Sequence, residues 1–261
     1  MRIAGLHKCS FVDYPGKLAA VVFTPGCNFN CPFCHNRGLL GEGAAGEIAP
    51  QAVLDFLNQR HGMLDALVVT GGEPTCQSGL GYFCKLVKRL GFAVKLDTNG
   101  SDPAQLRRLI AEKAVDYVAM DVKAPLDRYG ELAGAPVDTA AVGESIDCLL
   151  GGRVDYEFRT TVAPQLGTED IQAIAARIAG ARRYALQPFR TNGSAELADL
   201  GEALSAERLE QLAPRLLSCV DEVLLRGADG RQSRFVQVAP SEPLESRETE
   251  PSKAPTYQAA G

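Results

Sequence analysis

The sequence lacks the features that mark three other classes of protein. No apolar run approaches the ~20 residues that a helix needs to cross a bilayer. Residues 1–6 contain no long apolar segment and no cleavage site of the kind found in secretory signals. Basic residues are outnumbered, because 27 Lys and Arg oppose 32 Asp and Glu and give a net charge of −5. These features argue against a membrane protein, an exported protein and a nucleic-acid-binding protein, which normally carries a basic patch.

The eight cysteines do not indicate a disulfide framework, because a chain of 261 residues with no export signal is unlike a small secreted domain. We therefore expect a reduced, cytoplasmic setting. The length suits one large domain or two small ones, and α/β barrels commonly have this size. Residues 239–261 mix Pro with Ser, Glu and Lys and show no periodicity. That composition predicts a disordered tail after a folded domain at 1–238.

Three cysteines form the most informative motif. Cys27, Cys31 and Cys34 have the spacing C-x3-C-x2-C and follow an apolar run at 18–23 that ends in Thr-Pro-Gly. They therefore lie on a loop at the carboxyl end of a strand, where the backbone can wrap three thiolates around one inorganic centre. Thiolates suit zinc or iron–sulfur clusters. Three ligands, not four, leave one metal position open, as in catalytic sites.

Other interpretations of this motif stay open. Residues 31–35 match the C-x-x-C-H pattern of c-type haem attachment, although haem attachment requires export. A Cys3His zinc site fits by residue type, but Cys34 and His35 are adjacent, unlike the spaced ligand pairs of zinc fingers. The cluster is the favoured interpretation. The formal G-x-G-x-x-G at 41–46 follows the cysteine loop instead of a strand, so we interpret it as a linker.

Apolar periodicity predicts an alternation of strands and helices. Strand patterns occur at 18–23, 66–70, 92–97, 115–121, 156–162, 183–188 and 222–225. Helical spacing occurs between them, at 50–60, 79–90, around 106–110, at 138–150, around 171–178 and at 205–217. About six repeats imply a parallel sheet with right-handed crossovers. A closed or partial barrel and an open doubly wound sheet both fit, and both place the chemistry at the carboxyl ends of the strands.

Polar residues follow or end most of these strands. The second strand precedes Gly71-Gly72-Glu73-Pro74, the third ends in Asp97-Thr98-Asn99, the fourth ends in Asp121, the fifth contains Arg159, and Arg190 follows the sixth. Singly, each has an ordinary explanation, such as a turn, a helix cap or a surface ion pair. Their recurrence in phase with the cysteine loop predicts one ligand site at this edge of the sheet.

These motifs resemble the signature of the radical S-adenosylmethionine (radical SAM) enzymes. The triple-cysteine motif at 27–34 and the Gly-Gly-Glu-Pro sequence at 71–74 carry that resemblance, which extends over residues 1 to about 225. Within the superfamily, Cys-His-Asn at 34–36, Asp-Thr-Asn-Gly at 97–100 and the lead-in at 12–16 are similar to the glycyl-radical-enzyme activating enzymes. The subgroup most similar to this chain activates anaerobic (class III) ribonucleoside-triphosphate reductase. The resemblance implies a partial (β/α)6 TIM-like barrel.

The resemblance also implies the cofactors. Cys27, Cys31 and Cys34 would hold a [4Fe-4S] cluster whose fourth iron binds the amino and carboxylate groups of S-adenosylmethionine. Phe33 would pack near the adenine. The resemblance implies that Gly71, Gly72 and Glu73 surround the methionine amino group and that Arg159 contacts the ribose or carboxylate. The other cofactor-binding residues implied are Asp97, Thr98, Asn99 and Asp121. A monovalent cation beside the methionyl carboxylate would lie among the residues matching Asp97, Thr98, Met120 and Asp121.

The implied activity is the reductive cleavage of S-adenosylmethionine and the formation of a glycyl radical on a partner enzyme, with a flavodoxin or ferredoxin as electron donor. Asp13 and residues 12–16 are the candidate docking segment for that partner. Arg190 departs from the pattern, since a related enzyme has a cofactor-contacting histidine near that strand. We expect most of the other cysteines, Cys9, Cys76, Cys84, Cys148 and Cys219, to be buried small hydrophobes. Two alternatives stay open: a radical enzyme acting on a small molecule, of the 7-carboxy-7-deazaguanine synthase type, and a non-catalytic metal-stabilised binding scaffold.

Overall fold

The computed structural model of the chain describes residues 1–40, 47–191, 195–227 and 232–237. The glycine-rich stretch at 41–46, interpreted above as a linker, lies outside the described residues. So do the tail at 239–261 and its boundary with the folded domain.

Nine strands form a single sheet in which spatial order follows sequence order throughout the described chain. The strands are β1 (Gly5–Ser10), β2 (Ala19–Thr24), β3 (Ala66–Gly71), β4 (Ala93–Thr98), β5 (Tyr117–Asp121), β6 (Asp155–Val162), β7 (Tyr184–Pro188), β8 (Glu222–Arg226) and β9 (Gln232–Val236). Strands β2 to β8 are all parallel, whereas β1 and β9 pair antiparallel at the two edges. Since, among the described residues, β1 and β9 pair only with their sequence neighbours, the sheet is an open, partial barrel.

Helical crossovers connect the parallel strands. The helices are α1 (Pro50–Asn58), α2 (Leu80–Arg89), α3 (Pro103–Ala111), α4 (Tyr129–Ala133), α5 (Thr139–Leu150), α6 (Thr168–Arg177), α7 (Ala195–Ala198) and α8 (Ala206–Leu216), with 3-10 turns at Arg37–Leu39, Pro74–Cys76 and Leu126–Arg128. Six successive crossovers confirm the prediction of a partial (β/α)6 barrel. The alternative of a doubly wound sheet is wrong, because such a sheet requires a reversal of strand order and this one never reverses.

Strand alternation gives the sheet two different faces. The outer face packs its Val, Leu and Phe side chains against the helices and forms the large core. The inner face has a smaller floor of Tyr14, Ala19, Val21, Ala66, Val68, Tyr117 and Ala119. Tyr14 reaches that floor from the segment after β1, and its ring lies 5.7 Å from that of Tyr117. Small alanines in the floor leave the space above them, toward the strand carboxyl ends, open for polar groups.

The edge strands β1 and β9 are absent from the sequence prediction. No strand was predicted before residue 18, yet residues 5–10 pair with β2. Most β9 side chains are exposed, and those of β1 are exposed or half-buried except for Ser10, so neither segment has a buried apolar run that would reveal it. Backbone pairing with a neighbouring strand, not burial, fixes these two elements.

Candidate functional site

A cavity of about 340 Å³ opens at the carboxyl ends of the parallel strands. Its walls include every cofactor-binding and cluster residue predicted from the sequence: Cys27, Cys31, Phe33, Cys34, Gly71, Gly72, Glu73, Asp97, Thr98, Asn99, Asp121 and Arg159. They come from the cysteine loop and from four successive strand ends, β3 to β6. A volume of this size lies at the lower end of the range for small-molecule and cofactor sites.

Backbone contacts fix the cysteine loop from two sides. The Gly26 N–H donates to the Leu39 carbonyl at 2.7 Å, and the Asn30 N–H donates to the Ala133 carbonyl, at the end of α4, at 2.8 Å. Cys31 is buried, and Cys27 and Cys34 are half-buried. Within the described ranges, no three His, Cys, Asp or Glu side chains are arranged to hold a single metal ion. A cubane binds each thiolate through a different iron, and three thiolates on one loop suit such a cluster.

The thiol electrostatics also fit a bound cluster. Burial raises the pKa of Cys27 to about 12 and also raises the pKa of Cys31. Without a metal, both groups are therefore protonated at neutral pH. Bound iron supplies the positive charge that deprotonates a coordinating thiol.

The Gly-Gly-Glu turn after β3 packs directly against the backbone that leads from β2 into the cysteine loop. Gly71 has φ +119°, and a Cβ there would lie 2.3 Å from the Thr24 nitrogen. A Cβ on Gly72 would lie 1.9 Å from the Gly26 carbonyl oxygen. The Gly72 N–H donates to the Thr24 carbonyl and the Glu73 N–H to the Gly26 carbonyl, each at 2.8 Å. Only glycine permits this approach, which brings the turn and the cysteine loop to the same wall of the cavity.

Glu73 accepts four hydrogen bonds although it is 1% exposed. Its Oε1 accepts from the Thr75 N–H at 3.0 Å, the Thr75 hydroxyl at 2.6 Å and the Thr98 hydroxyl at 2.7 Å, while Oε2 accepts from the Asn99 N–H at 2.7 Å. Burial raises the pKa of Glu73 despite these donors. The carboxylate thus connects the end of β3 to the end of β4, and Oε2 keeps acceptor capacity for a ligand.

A chain of five alternating charges lies across the inner face. Lys95 Nζ is 2.5 Å from Asp97, and Arg159 lies between Asp97, at 3.1 Å, and Asp121, at 2.7 Å. Lys123 Nζ is 2.9 Å from the other oxygen of Asp121. Burial alone would raise the pKa of Asp97 and Asp121, but the neighbouring cations outweigh it and hold both pKa values below their ordinary range. Both aspartates are therefore ionised.

The residues expected around a monovalent cation do not fit one. Met120 faces the outer core and packs beneath Gly100, because it is one residue out of phase with Asp121 on β5. Thr98 is committed to Glu73, and Asp97 and Asp121 are already paired with side-chain cations. Every carboxylate oxygen of Asp97 and Asp121 therefore already faces a side-chain cation, whose positive charge opposes a metal cation at the same place.

Several wall residues were not predicted as ligands from the sequence. They are His35, Asn36, Lys123, Thr161 and Gln187. Asn36 Nδ2 donates to the Gly71 carbonyl at 3.0 Å, which ties the residue after the cysteine motif to the glycine turn. Thr161 and Gln187 share the inward strand phase of Arg159, and that phase is the signal that could have identified them.

His35 lies beside Arg190, the residue at which the sequence departs from the histidine of a related enzyme. The His35 ring stacks on Phe189 with centroids 6.5 Å apart, and its Nε2 accepts from the Arg190 N–H at 3.4 Å. The Arg190 guanidinium turns away to the Gly227 carbonyl at 3.1 Å. The chain thus brings a histidine to the end of β7 from the cysteine loop, although β7 itself is not followed by one.

The remaining cysteines correct one expectation. Only Cys84 among those five is buried; Cys148 and Cys219 are half-buried, and Cys9 and Cys76 are exposed. Cys9 lies on the edge strand β1 and Cys76 in the 3-10 turn after Glu73, and neither belongs to the large core or packs against it. In the described part of the chain, no helix is long and apolar enough to cross a membrane.

Comparison with known proteins agrees with this geometry. Residues 21–178 match the family model described as the radical SAM superfamily. A protein of Methanocaldococcus jannaschii named as a glycyl-radical enzyme activating enzyme is 33% identical over 237 residues, which cover 87% of this chain and 97% of the relative. The pyruvate formate-lyase-activating enzyme of Listeria monocytogenes is 31% identical over 132 residues, which cover 47% of this chain and 53% of that enzyme.

A structural likeness supports the fold. Streptococcus suis SuiB bound to S-adenosylmethionine superposes with a TM-score of 0.63 at 12% identity and covers 79% of this chain. The chain spans about half of SuiB, 52% of its length, so this likeness concerns the barrel alone. The superfamily match covers more than half of the chain, and the first relative is matched over nearly its whole length. The chain therefore belongs to the radical S-adenosylmethionine superfamily and, within it, to the glycyl-radical-enzyme activating enzymes.

Proposed function

We propose that this enzyme cleaves S-adenosylmethionine reductively and generates a glycyl radical on a partner protein, the catalytic subunit of an anaerobic ribonucleoside-triphosphate reductase. Radical SAM enzymes use a [4Fe-4S] cluster and S-adenosylmethionine, and these are the cofactors of this chain. The observation that carries the proposal is the convergence of all twelve predicted site residues on one cavity. We expect this reaction in the cytoplasm, with a flavodoxin or ferredoxin as electron donor.

Cys27, Cys31 and Cys34 are proposed to hold three irons of the cluster. When bound, the two cofactors supply a one-electron cleavage of the sulfonium that yields methionine and a 5′-deoxyadenosyl radical. The protein binds and orients the cofactor and excludes competing reactions. Phe33, 3% exposed in the cavity wall, provides an apolar surface for the adenine.

The polar walls of the cavity match the two ends of the methionine moiety. Glu73 Oε2 and the nearby backbone of Gly71 and Gly72 form an acceptor wall that suits an ammonium group. On the opposite side, Arg159 and Lys123 suit a carboxylate. Asn99 holds the cysteine loop between these walls, since its side chain donates to Asn28 at 2.9 Å.

The segment after β1 is the proposed docking element for the partner. Asp13 lines the cavity and accepts from the Ser10 hydroxyl at 2.5 Å, so its position is fixed. Phe11 and Val12, immediately before it, are 81% and 73% exposed. A short apolar tip beside a fixed carboxylate at the cavity can contact a peptide segment entering the site.

Anaerobic reconstitution tests the chemistry. The protein is loaded with iron and sulfide, reduced, and supplied with S-adenosylmethionine, and 5′-deoxyadenosine is measured. We expect turnover in the wild-type protein and none in Cys31→Ala, whereas Cys84→Ala, which removes a buried thiol outside the cavity, keeps it. Colourless protein that holds zinc and forms no 5′-deoxyadenosine would replace the proposal with the binding scaffold.

A second experiment tests the substrate. The reconstituted enzyme is mixed with the catalytic subunit of an anaerobic ribonucleotide reductase, and electron paramagnetic resonance is recorded. A glycyl radical on the subunit, absent when its radical-site glycine is replaced by alanine, is the expected result. Consumption of a small molecule such as a deazaguanine precursor with no partner present would favour the small-molecule alternative.

A further inference from the structure

Every carboxylate oxygen of Asp97 and Asp121 accepts a hydrogen bond from a side-chain cation. The Oδ1 of Asp97 accepts from Lys95 Nζ at 2.5 Å, and its Oδ2 from Arg159 Nη1 at 3.1 Å. The Oδ1 of Asp121 accepts from Arg159 Nε at 2.7 Å, and its Oδ2 from Lys123 Nζ at 2.9 Å. Two negative charges therefore meet three positive ones, and the group has a surplus of one positive charge.

Lys95 is the member of this group that the reaction does not otherwise explain. It lies beneath the cavity on β4, two residues before Asp97, and therefore points to the same inner face. Its side chain is 2% exposed, whereas that of Lys123 is 15% exposed and lines the cavity. A lysine is almost never this buried unless it is paired. Its ammonium therefore acts on the site through Asp97 and does not contact a ligand.

We propose that Lys95 is a built-in counter-cation that replaces a bound monovalent metal ion beside the methionyl carboxylate. A metal ion at this place would need oxygen ligands, and each oxygen of Asp97 and Asp121 already accepts from a side-chain cation that would repel it. The net positive charge of the group, which has three cations and two carboxylates, would also repel a metal ion. The carboxylate of a bound S-adenosylmethionine, in contrast, is attracted by that surplus. Cofactor binding to this enzyme is thus independent of potassium and sodium.

This inference rests on the proposed cofactor site, and Lys95 is a positioning residue in it. The test compares the wild-type protein with Lys95→Met, which keeps the length of the side chain and removes its charge. Lys88→Met is the matched control, because Lys88 makes a similar 2.5 Å pair with Asp116 outside the cavity. Lys95→Arg restores the charge. Each protein is measured in potassium chloride and in tetramethylammonium chloride at equal ionic strength.

Two quantities are measured: the Kd for S-adenosylmethionine on the reconstituted protein and the thermal midpoint of the protein without it. For the wild type, we expect both to be unchanged between the salts, with Kd within twofold. For Lys95→Met, we expect Kd to rise at least tenfold in tetramethylammonium chloride and to recover at least fivefold in potassium chloride, as potassium enters the released site. Its thermal midpoint rises in potassium chloride for the same reason. Lys95→Arg behaves as the wild type, and Lys88→Met shows no difference between the salts.

Two outcomes overturn the inference. One is a wild-type Kd for S-adenosylmethionine that is at least tenfold lower in potassium chloride than in tetramethylammonium chloride. The other is a Lys95→Met variant that is equally impaired in both salts, which makes Lys95 merely structural. If Lys95→Met is insoluble, the wild-type comparison and Lys95→Arg still decide. If S-adenosylmethionine binds in neither salt, the proposed function fails, while the thermal midpoints still test Lys95.

Discussion

Glu73 shows how a single buried carboxylate can organise the site. It is surrounded by donors from Thr75, Thr98 and Asn99, so it holds two strand ends together while one of its oxygens faces the cavity. In the sequence it was expected only as a cofactor ligand. Glu73 also accepts hydrogen bonds from Thr75 and from the end of β4. The sequence does not show these bonds, because they depend on how the strands pack.

We therefore expect Glu73→Gln to affect both stability and binding. The amide nitrogen would face one of the donors, and a buried unsatisfied group costs about 1–3 kcal/mol. The free energy of unfolding should fall by that amount, and S-adenosylmethionine affinity by about tenfold, which corresponds to about 1.4 kcal/mol. Urea unfolding and equilibrium dialysis measure the two effects. Glu112→Gln, which changes a partly exposed glutamate paired with Lys85, is the control and should leave affinity unchanged.

Arg159 controls the acid stability of the cavity. Burial would raise the pKa of Asp121, but Arg159 and Lys123 outweigh it and hold that pKa below its ordinary value. A carboxylate with a lowered pKa contributes stability that is present above its unfolded pKa, about 3.9, and is lost as the pH falls through its folded pKa. The same holds for Asp97, whose pKa is also lowered.

Arg159→Met is expected to move acid unfolding to higher pH. It removes the cation that the two aspartates share, so their pKa values rise. A rise of about one unit in the pKa of either aspartate corresponds to about 1.4 kcal/mol of lost interaction. Circular dichroism during acid titration measures the midpoint. Arg107→Met, which breaks an exposed pair with Glu144, should leave it in place; equal shifts in both variants would contradict this account.

At the scale of elements, the end of α4 supports the cysteine loop. Gly134 follows α4 with φ +61°, and a Cβ there would lie 2.2 Å from the Asn30 carbonyl oxygen. The Asn30 N–H donates to the carbonyl of the preceding Ala133. The loop is thus in backbone contact with a helix that follows β5, far from it in the sequence.

Gly134→Ala should therefore impair cluster loading more than it impairs folding. The new methyl group displaces the Asn30 backbone, and we expect iron and sulfide per protein after reconstitution to fall by more than half. Gly152→Ala is the matched control, since Gly152 has a similar φ of +66° at the end of α5 but its nearest neighbour would be 4.0 Å away. Both variants carry the left-handed strain of about 1–2 kcal/mol. Equal iron contents in the two variants would show that the contact between Gly134 and Asn30 does not affect cluster loading.

Elements with a regular apolar pattern were predictable from the sequence, and the edge strands β1 and β9 were not. The strand at 66–70 and the helix at 79–90 agree with β3 and α2 within one residue at each end. Asp121 was identifiable because it ends a buried strand, and Arg159 because the family resemblance assigns it to the cofactor. Lys95 was not, since a charged residue between apolar ones gives the same pattern whether it faces solvent or a closed interior. The difference lies in the opposite charges that neighbouring strands place beside it.

At the scale of the whole molecule, the composition of residues 239–261 predicts that they add no packed structure. A chain ending at residue 238 should then melt within about 2 °C of the full-length protein, because a larger change would mean a loss of stabilising contacts. Differential scanning calorimetry on the two chains measures this. A clearly lower midpoint for the shorter chain would show that the tail packs on the barrel.

The strict sequence order of the sheet has a consequence for biosynthesis. Each strand pairs with the one made just before it, so the sheet can grow as the chain leaves the ribosome. The cysteine loop is synthesised near the beginning, whereas Arg159 and the β7 end that holds His35 come much later. Early in translation, the thiols are present without the walls that exclude water and fix the cofactor. If the cysteines hold the cluster as proposed, iron delivered at that stage would meet an unprotected loop, and we expect productive cluster insertion only in the completed chain.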